Sequence, residues 1–111
     1  MSTATGTIAI PETFIPRDGM FACTVSGDSM TGDGIRDGDA LLIDPHEPVE
    51  QGDIAAVRIS TPRGTAGVVR HVWYRGLDLI LIAGNPAFPP IIVRAENAEI
   101  AGRVIAVYHA C

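Results

Sequence analysis

The sequence predicts an all-β domain, mostly antiparallel, folded as a partly closed barrel or sandwich of short strands. Apolar residues recur at every second position in several short segments, and no stripe with a 3.6-residue period extends beyond about two turns. Glycine (12 residues) and proline (8 residues) are frequent enough to end each segment in a turn. These features are typical of many short strands rather than of a helix bundle.

The first half of the chain contains two predicted strands. Apolar and polar residues alternate over residues 20–26, which predicts a half-buried strand. Residues 40–44 form a short apolar run that ends at Pro45, and proline is disfavoured inside a sheet. Between these strands, residues 29–35 have room for one short helical turn at most.

The second half contains four more predicted strands. Residues 53–60 place alternate apolar side chains on one face, and the Thr-Pro-Arg-Gly turn at 61–64 leads into a further strand at 66–74. The two strands should therefore pair as a hairpin. Two further segments rich in apolar residues, 77–83 and 100–108, are the last two predicted strands.

The composition limits the class of protein. The 111 residues are expected to form a single domain over residues 7–111, preceded by a loose tail at 1–6. A formal charge of −5 argues against direct binding of nucleic acid. The apolar runs are too short to span a membrane, and the chain starts with no secretory signal pattern, so a cytoplasmic location is expected. Two cysteines define neither a disulfide framework nor a metal site.

Acidic residues are concentrated in one part of the chain. Residues 28–53 contain eight carboxylates and one arginine, whereas the rest of the chain contains five carboxylates and seven arginines. The simplest interpretation is a solvated face of turns. An alternative is a calcium-binding loop around 33–39, but the spacing does not match an EF-hand and the flanking segments are not helical. No metal site is therefore assigned.

Ser29 is the candidate nucleophile. It lies in the segment Val-Ser-Gly-Asp-Ser-Met, immediately after the first predicted strand. Gly27 and Asp28 permit a tight turn, and main-chain N–H groups around Met30 could face a developing oxyanion. Serine, glycine and aspartate are common in surface turns, so this pattern alone is weak support for catalysis.

Over about residues 10–108, the chain resembles the catalytic domain of the LexA, UmuD and phage-repressor family of self-cleaving serine peptidases (peptidase S24-like, with a fold like that of signal peptidase). The resemblance rests on five ordered segments: VSGDSM, GIRDGDALLID, GDIA (residues 52–55), LILIAGNPAFPPI and IAGRVIAV. It implies a mostly antiparallel β fold, Ser29 as nucleophile and a homodimer. It further implies a role in the SOS response, in prophage control or as an accessory to a mutagenic polymerase.

The family uses a Ser–Lys dyad, but this sequence contains no lysine, because all eight Lys+Arg positions are arginine. Counting back from Asn85 without a gap places Arg70 at the position of the family's lysine, whereas a slip of one residue would place Val69 there. Arginine is not deprotonated in proteins and is no competent base. His71 is the alternative base, although neighbouring residues of a strand point to opposite faces.

Three hypotheses follow from these residues. The first is a LexA-like domain that retains Ser29 but is deficient in cleavage and acts through dimerisation and partner binding, with Arg70 paired to a carboxylate such as Asp28. A polymerase, a repressor or a recombinase filament would then be its partner. The second is an active peptidase that uses Ser29 and His71. The third is a non-catalytic β-barrel binding module whose acidic loop could hold calcium. None of them requires a cofactor.

Overall fold

The fold is a single antiparallel sheet, described by a computed structural model over residues 19–110. The sheet has seven strands in the order β1-β2-β7-β3-β4-β5-β6, and every adjacent pair is antiparallel. Their bounds are Phe21–Thr24 (β1), Ala40–Asp44 (β2), Ile54–Thr61 (β3), Gly64–Arg75 (β4), Asp78–Ile82 (β5), Ile91–Arg94 (β6) and Ala98–Tyr108 (β7). Two single 3-10 turns, at Thr31–Asp33 and Ala95–Asn97, are the helical elements of the described part of the chain.

The expected all-β, antiparallel class is confirmed, with two differences. Among the described residues β1 and β6 each have a single strand neighbour, so the sheet is open rather than partly closed. The strands are also not uniformly short, since β4 has 12 residues and β7 has 11. A long strand can pair with different neighbours along its length, which a local alternation pattern does not encode.

The hairpin of β3 and β4 is confirmed. Thr61 pairs with Gly64, so Pro62 and Arg63 form a two-residue connection. Gly64 has a φ of 119°, which only glycine adopts readily. Beyond the hairpin, β4 continues to Arg75 and pairs with β5.

Both faces of the sheet are covered by apolar side chains. Successive residues of a strand point to opposite faces, and on β3 Ala56 belongs to one buried cluster while Ala55 and Val57 belong to another. The first cluster contains Met30 and Ile35, each 1% exposed, from the loop between β1 and β2. This loop, which carries Ser29, is therefore anchored to the sheet by its own apolar side chains.

Two further observations bear on the expectations from the sequence. The predicted tail at residues 1–6 lies outside the described residues, so the proposed domain boundary stays a prediction. The part of the chain that the structure describes has no helix with the length and apolarity that crossing a bilayer requires.

Candidate active site

Ser29 lies in a constrained turn that follows β1. Main-chain hydrogen bonds from Val25 N–H to Asp39 O and from Gly38 N–H to Val25 O, both 2.8 Å, close the base of the loop. Gly27 has a φ of 95°, which permits the chain to reverse there, and its N–H donates to Asp37 Oδ1 at 2.8 Å. The Asp37 side chain is thus used as an acceptor that holds the turn.

A second loop, which contains Gly84 and Asn85, anchors the Ser29 turn from the other side. The Asn85 side-chain amide donates to Asp28 O at 3.0 Å and to Thr31 Oγ1 at 3.3 Å, so it bridges the residues on both sides of Ser29. Gly84 N–H donates to Met30 Sδ at 3.2 Å. The sequence marks Asn85 only as part of an Asn-Pro turn, because a side chain that binds distant main-chain atoms leaves no pattern in the sequence.

Arg70, on β4, contacts Ser29 directly. Its Nη1 donates hydrogen bonds to Ser29 Oγ and to Val69 O, both at 2.8 Å. Its Nε is enclosed by protein and has no acceptor. Burial lowers the pKa of the Arg70 guanidinium, but arginine remains protonated in proteins.

The expected ion pair between Arg70 and a carboxylate of the acidic segment is not formed. Within residues 19–110, Arg70 contacts no carboxylate, and Asp28 is exposed beside Ser29. The prediction that Asp28 pairs with Arg70 was therefore wrong. The guanidinium turns to a hydroxyl and a carbonyl oxygen instead, because β4 directs it toward the turn that carries Ser29 Oγ.

His71 does not contact Ser29. Its Nδ1 is 2.8 Å from Gly52 O and its Nε2 is 2.9 Å from Asp33 Oδ2, so both ring nitrogens have other partners. Burial lowers the pKa of His71, but the hydrogen bonds to Gly52 and Asp33 and the charge of Asp33 outweigh it, and the pKa is raised above 6.5. The alternative Ser29–His71 pairing is thus not present in this structure.

A cavity of about 140 Å³ lies beside the Ser29 hydroxyl. It is lined by the turn at 25–30, by β4 residues 67–70 and by Phe88. Among the described residues, no acceptor is recorded for the main-chain N–H groups of Ser29 and Met30, whereas that of Gly27 is occupied by Asp37. Of the residues expected at an oxyanion site, Met30 therefore has an N–H with no recorded acceptor among residues 19–110, whereas the N–H of Gly27 is occupied.

Three further carboxylates of the acidic segment, those of Asp39, Asp44 and Asp53, accept hydrogen bonds from main-chain N–H groups two or three residues away. Asp39, 2% exposed, accepts hydrogen bonds from the Arg36 and Ala110 N–H groups and contacts His109 Nδ1 at 2.9 Å. Within residues 19–110, no group of three or more His, Cys, Asp or Glu side chains is arranged to hold a metal ion. The calcium alternative thus lacks a ligand cluster in this part of the chain.

Comparison with known proteins identifies a family and two relatives of this chain. The profile of the family described as Peptidase S24-like matches residues 1–105. A LexA repressor from Deinococcus radiodurans is 33% identical over 103 residues, covering 86% of this chain and 48% of the repressor. A LexA repressor from Syntrophobacter fumaroxidans is 33% identical over 98 residues, covering 88% of this chain and 46% of the repressor. The chain thus spans about half the length of these relatives.

Proposed function

The chain belongs to the Peptidase S24-like family, and from that membership we propose that it is a serine-peptidase-like domain without a competent base. Ser29 is the residue in the nucleophile position, and Arg70 occupies the position of the dyad lysine. The domain is deficient in cleavage and acts through dimerisation and partner binding.

The observation that carries this proposal is the 2.8 Å hydrogen bond from Arg70 Nη1 to Ser29 Oγ. Arginine has five N–H donors and no acceptor, so in this contact the serine oxygen accepts and its own proton has no base to receive it. A serine hydroxyl becomes a strong nucleophile only when an adjacent base takes that proton. A neutral lysine can do so, whereas a guanidinium cannot.

The expected loss of rate is large. In a serine peptidase whose catalytic groups act as one unit, removal of the base lowers kcat by about 10⁶-fold. Residual acceleration then comes only from binding and from hydrogen bonds to the oxyanion. The sequence contains no lysine that could substitute for the missing base.

The proposed cellular role follows the likeness to proteins named LexA repressor. We place this domain in regulation of the SOS or prophage-repressor type, or as an accessory to a mutagenic polymerase. A homodimer would be its working form, and a polymerase, a repressor or a recombinase filament its partner. Sedimentation over a range of concentrations tests the dimer, and a monomer at every concentration would contradict it.

Restoring the dyad tests the loss of activity. Arg70→Lys replaces the guanidinium with an amine that desolvation can hold neutral. We expect this variant to gain labelling of Ser29 by a serine-directed fluorophosphonate and cleavage of a family-type peptide with a small residue before glycine. The unaltered chain should show neither. Mass spectrometry of the labelled protein identifies the modified residue.

Two matched variants control this test. Arg70→Gln removes the charge without supplying a base and should gain nothing, and Ser29→Ala in the Arg70→Lys background should abolish the new labelling. Cleavage or Ser29 labelling by the unaltered chain would contradict the proposal. A gain in Arg70→Gln equal to that in Arg70→Lys would show that the amine does not act as a base.

A further inference from the structure

A second cavity, of about 610 Å³, lies between the 3-10 turn Thr31–Asp33, strand β4 and the loop that follows β5. Its volume is within the range of sites that hold small ligands, about 300–1,000 Å³. It shares only Phe88 with the smaller cavity beside Ser29. Neither Ser29 nor Arg70 lines it, so its role is independent of the missing base.

Two exposed aromatic side chains line this second cavity. Trp73 is 44% exposed and Phe88 is 39% exposed. The main chain of Gly52 supports the indole, since a Cβ added to Gly52 would lie 2.9 Å from Trp73 Cζ2. Gly52 is itself fixed by a hydrogen bond of 2.7 Å from its N–H to Val72 O. A rigidly held and exposed indole attracts cations, because the face of an aromatic ring carries negative potential.

Several of the hydrogen-bond donors that line the cavity are already occupied. The N–H groups of Gly84 and Phe88 both donate to acceptors within the protein. Three lining residues are prolines, which have no N–H: Pro86, Pro89 and Pro90. By contrast, Asp33 Oδ1 has no recorded donor among residues 19–110. The cavity therefore favours a ligand that donates hydrogen bonds.

The charge around the cavity is negative. Asp33 lines it, and the Asp33 side chain is 27% exposed. It belongs to the segment 28–53, in which eight carboxylates are accompanied by one arginine, and the whole chain has a formal charge of −5. A cation is thus attracted both by the carboxylate and by the aromatic rings, whereas an anion is repelled.

We propose that this cavity binds an arginine side chain of a partner protein, whose guanidinium contacts the Trp73 ring and the Asp33 carboxylate. Arginine suits these groups better than lysine does, because its planar guanidinium stacks on aromatic rings and is more weakly hydrated than an ammonium group. Its five N–H donors match a wall that supplies acceptors. Its methylene stem can pack on the apolar lining, which includes Ile82 and the prolines.

His71 lines the same cavity and competes with such a cation. Its Nε2 is 2.9 Å from Asp33 Oδ2, and its other neighbours are Gly52 O and the apolar cross-strand partners Ile54 and Ile82. Burial lowers the His71 pKa, but the hydrogen bonds to Gly52 and Asp33 and the Asp33 charge raise it above 6.5. A proton on His71 therefore weakens the attraction of Asp33 for an arginine.

Binding of arginine and of this proton should be linked, because both act on one carboxylate. The affinity for an arginine peptide should rise at least about threefold between about pH 5.5 and about pH 9, as His71 loses its charge. An affinity that stays level or falls over this range would show that Asp33 is not the counter-ion, and would overturn the proposed site.

Trp73 is the one tryptophan of the chain, so its fluorescence reports directly on this cavity. The test is a titration at constant ionic strength with acetyl-glycyl-arginyl-glycinamide and with the same peptide carrying citrulline or lysine instead of arginine. Citrulline has nearly the shape of arginine without its charge. The arginine peptide should bind with a Kd of about 1–10 mM, at least about fivefold more tightly than the citrulline peptide and about threefold more tightly than the lysine peptide.

Two results of this titration would overturn the proposal. One is the absence of a saturable change with the arginine peptide up to about 50 mM, and the other is equal binding of the arginine and citrulline peptides. Equal binding of the lysine peptide would reject arginine as the ligand. These comparisons use the unaltered chain, so they decide the question even if a variant fails to fold.

Two variants that each remove one negative charge locate the effect. Asp33→Asn should lose the preference for arginine over citrulline. Glu96→Gln, which is exposed and lies outside the cavity, should retain it. Loss of the preference in Glu96→Gln would assign the binding to the net charge of the chain and would reject the site.

Discussion

Gly32→Ala tests how closely the Ser29 turn is packed against the loop that contains Gly84. A Cβ on Gly32 would overlap the carbonyl oxygen of Gly84 and lie 3.0 Å from its carbonyl carbon. Both neighbouring atoms belong to main chain, so no side chain can rotate away. The two backbones must separate by roughly 1.6 Å to restore an ordinary contact distance.

This separation has a calculable cost. Overpacking of this kind destabilises a protein by about 1–3 kcal/mol. The displacement also stretches the hydrogen bonds from Asn85 to Asp28 O (3.0 Å) and from Gly84 N–H to Met30 Sδ (3.2 Å). Each lost hydrogen bond adds about 0.5–1.5 kcal/mol. The free energy of unfolding should therefore fall by about 2–6 kcal/mol, and Tm by about 8–24 °C for a chain of this length.

Chemical denaturation at equilibrium measures this loss, with Gly76→Ala as the control. Gly76 has a φ of 59° and open space around it, so an added Cβ incurs only the strain of a left-handed backbone, about 1–2 kcal/mol. If Gly32→Ala destabilises the protein no more than Gly76→Ala, the described approach of the two loops is incorrect.

Two further predictions concern pH. Because the His71 pKa is raised in the folded protein, its pairing with Asp33 should stabilise the fold below about pH 6.5 and lose that effect as pH rises through the folded-state pKa. Asp33→Asn should lower the His71 pKa in an NMR titration, and an unchanged pKa would refute the pairing. Burial raises the Asp39 pKa, but hydrogen bonds from Arg36 N–H and His109 outweigh it, so the pKa is lowered. Asp39 should therefore stabilise the fold above about pH 3.8, and Asp39→Asn should be less stable in urea at neutral pH, by a margin that shrinks in acid.

Much of the fold could be predicted from local patterns. Alternation of apolar residues marks β3 and β4, and the Thr-Pro-Arg-Gly turn marks the hairpin between them. The open sheet could not be predicted, because β7 pairs between β2 and β3 through contacts distant in sequence. Strand β6, Ile91–Arg94, was also missed, since four apolar or basic residues after two prolines form too short a run to show a period.

The candidate site was predictable only in part. The resemblance to the peptidase family implied that Arg70 takes the lysine position beside Ser29, and the structure joins the two side chains by a hydrogen bond. The acceptors of Arg70 and the bridging role of Asn85 were not predictable, because main-chain carbonyl oxygens are present at every residue and carry no sequence pattern. Because neighbouring residues of a strand point to opposite faces, the sequence did not favour His71 facing Ser29 together with Arg70. Its partner Asp33 could be identified only from the structure.

Within residues 19–110 no base reaches the Ser29 hydroxyl, and the rate of Ser29 phosphonylation between about pH 5 and about pH 9 tests this directly. The unaltered chain should react no faster than Ser29→Ala at every pH in this range. A rate above that background that rises with an inflection near the pKa of a histidine would contradict it, because such an inflection would identify an imidazole as the base.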